Sequence, residues 1–183
     1  MFTSFISSKT NIVAKLLLSV LATTTVVAWS TKSFSKPIPL MRNTLVAMES
    51  DDAELADLVK QVHQEINQYR SSLNLAPLSL DDLISKQAAI HSQNMAQGQV
   101  EFSHQGFDQR VKVLGTKIPY LRVSENVAYN QGYNDPASNA VKGWIKSEGH
   151  RQNMIGNYNL TGIGVARNQQ GEYYFTQIFI GEK

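Results

Sequence analysis

Leu55, Leu58, Val59, Val62, Ile66 and Tyr69 recur three or four residues apart, the spacing that lines one face of an α-helix. Ser50-Asp51-Asp52 ahead of them supplies a capping serine and two acids for the positive end of the helix dipole. Asn74 to Pro77 breaks the pattern. A second helix is predicted from Ser79-Leu80-Asp81-Asp82, a capping-box variant. Its expected buried ladder is Leu80, Ile84, Ala88, His91 and Met95, and Gly98 stops it. From Phe102 to Tyr120 no period holds, and Gly106, Gly115 and Pro119 punctuate a stretch expected to be irregular. Asp135-Pro136 opens a third helix with the stripe Ala137, Ala140, Val141 and Trp144. Ile163, Val165 and Ala166 then lead to the polar turn Asn168-Gln169-Gln170-Gly171, and Tyr173 to Ile180 is dense in aromatic and β-branched residues. That is the pattern of a β-hairpin. Helices first and strands mostly last predict an α+β fold, with helices packed on a small antiparallel sheet.

The apolar run Leu16 to Leu21, continuing through Val26-Val27-Ala28, follows Lys9 and Lys15, and no Asp or Glu occurs before Glu49. A basic start, a short apolar stretch and small residues from Ala28 to Ser30 read residues 1–30 as a signal peptide. The run is short for a membrane span and threonines dilute it, so cleavage is favoured over retention as an anchor. Residues 31–50, with Lys36-Pro37-Ile38-Pro39, read as a linker, and the folded domain is expected over 51–183.

Composition changes this picture in two ways. With Lys9 and Lys15 gone, the remaining 15 Lys and Arg equal the 15 Asp and Glu. A neutral domain gives no electrostatic basis for binding nucleic acid or an anionic membrane. The chain has no cysteine, so there is no disulfide framework, thiol nucleophile, thiolate ligand or lipoprotein anchor, and any metal site must use His, Asp or Glu.

Four histidines are available. His63 lies off the first helical stripe and reads as solvated, whereas His91 falls on the second ladder and reads as a hydrogen-bonded core residue. His104 and His150 sit at element ends, where sites tend to form. Glu125, in Val123-Ser124-Glu125-Asn126-Val127-Ala128, stands between apolar residues in a strand or turn, and an acid there needs a partner. On the third helix, 100° per residue puts Glu148 about 40° from Trp144, at the margin of the buried stripe, and Ser147 about 60° to its other side. A Ser147–His150 pair at i, i+3 has no evident oxyanion hole. There is no G-x-S-x-G, H-E-x-x-H, Walker or G-x-G-x-x-G motif.

Taken in order, Asn67-Gln68-Tyr69-Arg70, Ala76-Pro77-Leu78, His91-Ser92-Gln93-Asn94-Met95-Ala96, Phe102-Ser103-His104 and Glu125-Asn126-Val127 make a recognisable series. Trp144-Ile145-Lys146-Ser147-Glu148-Gly149-His150-Arg151-Gln152-Asn153, Gly162-Ile163-Gly164-Val165 and Tyr174-Phe175-Thr176-Gln177-Ile178-Phe179 complete it. From Asp57 to Phe179 the chain resembles the bacterial branch of the CAP superfamily, which includes cysteine-rich secretory proteins, venom antigens and plant pathogenesis-related proteins. The resemblance implies a three-layer α-β-α sandwich with a cleft carrying two histidines and two acids. His104, Glu125 and His150 match three of these by motif. The second glutamate of animal and plant members corresponds to Ser147, with Glu148 one residue later. The implied cleft set is His104, Glu125, Asn126, Ser147, Glu148 and His150.

Two imidazoles, His104 and His150, can hold a divalent ion such as zinc with water completing the shell, though two protein ligands alone bind weakly. The leading expectation is a secreted or extracytoplasmic, non-enzymatic domain, in the context of bacterial export. It would bind a small molecule, lipid or wall ligand at this cleft and meet the membrane only through an uncleaved leader. The alternative is a metal-dependent hydrolase or peptidase acting outside the cytoplasm.

Overall fold

A computed structural model describes residues 39–182. The signal-peptide reading of 1–30 and the linker reading of 31–38 fall outside the described residues. Nine elements follow in order: α1 (Pro39–Ser72), β1 (Ser79–Leu80), α2 (Asp82–Ala96), α3 (Phe107–Gly115), β2 (Tyr120–Gln131), α4 (Pro136–Lys146), α5 (Glu148–Ile155), β3 (Leu160–Arg167) and β4 (Glu172–Glu182). The strands form one sheet in the order β1-β3-β4-β2. It is antiparallel except where the two residues of β1 pair parallel with β3.

Three layers result. Leu58, Val62 and Ile66 of α1, Ala137, Val141 and Trp144 of α4 and Met154 of α5 pack with Phe175 and Phe179 on one face of the sheet. Ile84 and Ala88 of α2 and Leu114 of α3 pack with Ile178 and Ile180 on the other. Alternate residues of β4 thus serve opposite cores, as the two-residue period of a strand requires.

Several expectations are corrected. Residues 39–50 are helical and continuous with the rest of α1, so the first helix does not begin at Ser50. Asp81 caps α2 through its side chain, accepting from the Ile84 amide at 2.9 Å, but Leu80 belongs to β1 and is 40% exposed. The rest of the ladder, Ile84, Ala88, His91 and Met95, is buried. The supposedly irregular stretch contains α3, bracketed by the two glycines read as punctuation. Gly106 is its N-cap at φ 77°, a left-handed conformation that suits glycine, and Gly115 is its last residue.

α2 lies directly on β3 because of Gly162 and Gly164. A Cβ at Gly164 would sit 2.1 Å from the Ala89 nitrogen, and one at Gly162 would sit 2.2 Å from the Ser85 nitrogen. The opposite layer is tied by Arg70, buried at the end of α1. Its guanidinium donates to the carbonyls of Ala76, Met154 and Gly156 at 2.8–3.0 Å.

Candidate functional site

Two of the site residues, Glu125 and Asn126, lie on β2, one of the two edge strands of the sheet. Glu125 pairs in register with Ile178 and therefore faces α2 and α3, whereas Asn126 pairs with Gln177 and faces the other layer. One strand thus presents adjacent side chains to opposite faces.

Glu125 has a side chain only 1% exposed, and its carboxylate is fully engaged. Arg110, from the first turns of α3, donates from Nε to Oε2 at 2.8 Å and from Nη2 to Oε1 at 2.7 Å, a two-pronged clamp. Its Nη1 also donates to the Gln105 carbonyl at 2.9 Å, fixing the loop before α3. His104, in that loop, donates from Nδ1 to Glu125 Oε1 at 2.9 Å. A carboxylate held by a guanidinium can only accept, so Nδ1 carries the proton of this bond, which leaves Nε2 unused by it. The imidazole is half exposed while its carboxylate partner is enclosed.

His150 approaches from the other layer. α4 ends at Lys146, and Ser147, in extended conformation (φ −87°, ψ 121°), serves as N-cap of a new helix, α5. The extrapolated angles for Ser147 and Glu148 therefore do not apply. Glu148 is exposed, and its one hydrogen bond, from Gln152, is 3.5 Å long. Ser147 is half-buried and its side chain caps nothing. Asn126 is fully buried. It donates to the His150 carbonyl at 3.1 Å and accepts from Asn153 at 2.8 Å, which ties α5 to β2. Burial, and secondarily the nearby His104, pushes the His150 pKa below the usual histidine value. Among the described residues, neither His104 Nε2 nor either ring nitrogen of His150 bonds to a protein group.

Of the six cleft residues, then, His104 and Glu125 are joined by a hydrogen bond, and His150 lies near enough to His104 to feel its charge. Asn126 acts behind them, Ser147 sets the start of α5, and Glu148 faces solvent. Arg110 was not anticipated. Its only signal in the sequence is a buried acid that needs a cation, and nothing local says which one supplies it. Among the described residues no three His, Asp or Glu side chains form a metal-holding group. Glu125 is committed to Arg110 and is not available as a metal donor. The other histidines divide. His91 is buried and donates to the Ser103 carbonyl at 2.8 Å, as read. His63 is half-buried rather than solvated and donates to the Leu78 carbonyl at 2.8 Å.

Residues 63–179 match the model of the CAP family, described as the cysteine-rich secretory protein family. The chain is 38% identical over 129 residues to YkwD of Bacillus subtilis, covering 67% of this chain and 47% of that protein. It resembles a solved extracellular protein containing an SCP domain from Bacillus anthracis, at 26% identity and TM-score 0.63, over 73% of this chain and 43% of that one. An outer surface protein of Borrelia burgdorferi shares the fold, at 20% identity and TM-score 0.60, over 69% of this chain and 94% of the other. The chain spans less than half the length of the two Bacillus proteins. No helix among the described residues is long and apolar enough to cross a membrane.

Proposed function

Because this chain belongs to the CAP family, we propose that it works outside the cytoplasm as a non-enzymatic binding domain. On this reading it takes a small molecule, lipid or wall ligand at the His104–His150 edge. The observation that carries the reading is the commitment of Glu125. Its two oxygens accept three hydrogen bonds, from Arg110 and His104, so it is not free to activate a water. The other nearby acid, Glu148, is exposed. What remains available to a ligand is nitrogen: His104 Nε2 and the two ring nitrogens of His150. A ligand with hydrogen-bonding oxygens suits such a pair. A divalent ion would be held by the same two histidines alone and would exchange readily. Extracellular placement is supported by the leader-like sequence of 1–30 and by the extracellular and outer-surface proteins it resembles.

The test uses the purified chain. EDTA should leave its melting temperature where it was, and zinc should bind weakly in calorimetry and not at all to a His104→Ala/His150→Ala variant. A large loss of melting temperature on chelation would count against the reading.

One observation favours the enzymatic alternative. An imidazole whose Nδ1 is oriented by a buried carboxylate is arranged as a general base. No Ser, Thr or Tyr hydroxyl bonds to His104 or His150 among the described residues, so the nucleophile would have to be water. Cleavage of a peptide or glycan library by the wild type, abolished in His104→Ala, would establish this alternative.

A further inference from the structure

The loop that presents His104 has a reverse side. There, between α2 and α3, lies a cavity of about 300 Å³, at the low end of the roughly 300–1,000 Å³ typical of small-molecule sites. Gln87, Ile90 and Asn94 line it from α2 at i, i+3 and i+7, a single stripe beside the buried ladder. Gln105 and Gln109 face them across the gap, and Val100 completes the wall.

Three features define what would fit. Among the described residues the side-chain amides of Gln87, Asn94, Gln105 and Gln109 make no hydrogen bond within the protein. The carboxamides of Asn67, Asn126, Asn130 and Asn153 behave differently, each being bonded to the backbone. Between the free amides stand Ile90, a large aliphatic side chain left 46% exposed, and Val100. Finally, the cavity offers no free charge. Arg110 is spent on Glu125 and on the Gln105 carbonyl, and the buried His91 donates to the Ser103 carbonyl. An ionic ligand would find no counter-charge, and a purely apolar one would leave four amides unpaired.

We propose that this cavity binds a neutral secondary amide, the group shared by an N-acetylated sugar and a peptide unit. Its N–H and C=O would bond to carboxamides from the two walls, and its methyl or Cα would rest on Ile90 and Val100. The site is separate from the His104–His150 edge and does not depend on the function proposed for that edge. It shares a wall with it, because the Ser103 and Gln105 carbonyls that flank His104 are held by His91 and Arg110.

The test is titration of the isotope-labelled chain, followed by amide NMR, with N-acetylglucosamine, glucose and N-acetylalaninamide as separate probes. The expected result is saturable shifts confined to residues 87–110, with a Kd on the order of 1 mM. A Gln87→Ala/Asn94→Ala variant should weaken binding at least about fivefold, and Ile90→Trp, which fills the cavity, should abolish it. Binding of N-acetylglucosamine alone assigns a glycan source, binding of N-acetylalaninamide alone assigns a peptide source, and binding of both supports the amide itself. Absence of shifts with both amides overturns the proposal. So do equal shifts with glucose, or unchanged affinity in the two variants.

Discussion

Arg110→Met removes the guanidinium that holds both oxygens of a carboxylate whose side chain is 1% exposed. Only the His104 Nδ1–H then remains to it. Breaking a buried pair by removing one member costs about 3–5 kcal/mol, because the surviving charge is left desolvated. For a domain of this size that corresponds to a fall in melting temperature of about 6–20 °C. Glu125→Leu strands the guanidinium instead and should cost a similar amount. The double variant removes both charges and should return to within about 2 kcal/mol of the wild type, since apolar replacement of a buried pair is often neutral. Urea unfolding of the four proteins, followed by circular dichroism, closes the cycle, with an expected coupling energy of about 4 kcal/mol or more. A coupling below about 1 kcal/mol, the range of exposed pairs, would refute the claim that Glu125 is locked. Glu125 would then be free to serve as a general base.

Other expectations follow from the packing and from the histidines. Burial lowers the pKa values of His91 and His150, so the unfolded chain binds more protons and stability must decline as pH falls below the unfolded value near 6.5. Melting temperature should be lower at pH 5 than at pH 7.5, less so in His150→Ala, and a flat or opposite profile would contradict the burial argument. Gly164→Ala drives a Cβ into the α2 backbone and should cost about 1–3 kcal/mol or more. Gly143→Ala, in α4 with nothing within 4 Å, should instead stabilise by about 0.5–1 kcal/mol, and the two are compared by thermal melts. Trp144→Phe removes the indole donor to the Val127 carbonyl, a bond of 2.9 Å, and should cost about 1–3 kcal/mol in the same assay.

The sequence was informative where one physical cause acts locally. The α2 ladder, the Asp135-Pro136 start of α4 and the hairpin at Asn168 to Gly171 each follow from periodicity or turn chemistry within a few residues. Leu80 departs from its helical reading because pairing with Thr161 of β3 places it in a strand. The interruption at Ser147 was hidden because helical residues stand on both sides and no proline or glycine occupies the break itself. In the site, the motif resemblance singled out His104 and Glu125, which a hydrogen bond joins. Arg110 could not be read, because its partner lies 15 positions away on another element and its role exists only once α3 docks beside β2. Glu148 stood at the margin of the buried stripe only while α4 was extended past its true end.

The bare seam at Gly162 and Gly164 limits how this architecture can diversify. The atoms that a larger residue would strike include main-chain atoms of α2, which no change of side chain on that helix can shrink. A lesion at either glycine therefore has no single-residue suppressor across the contact. In descendants of this chain, novelty must enter through the loops and outward-facing flanks, not through a re-seated helix.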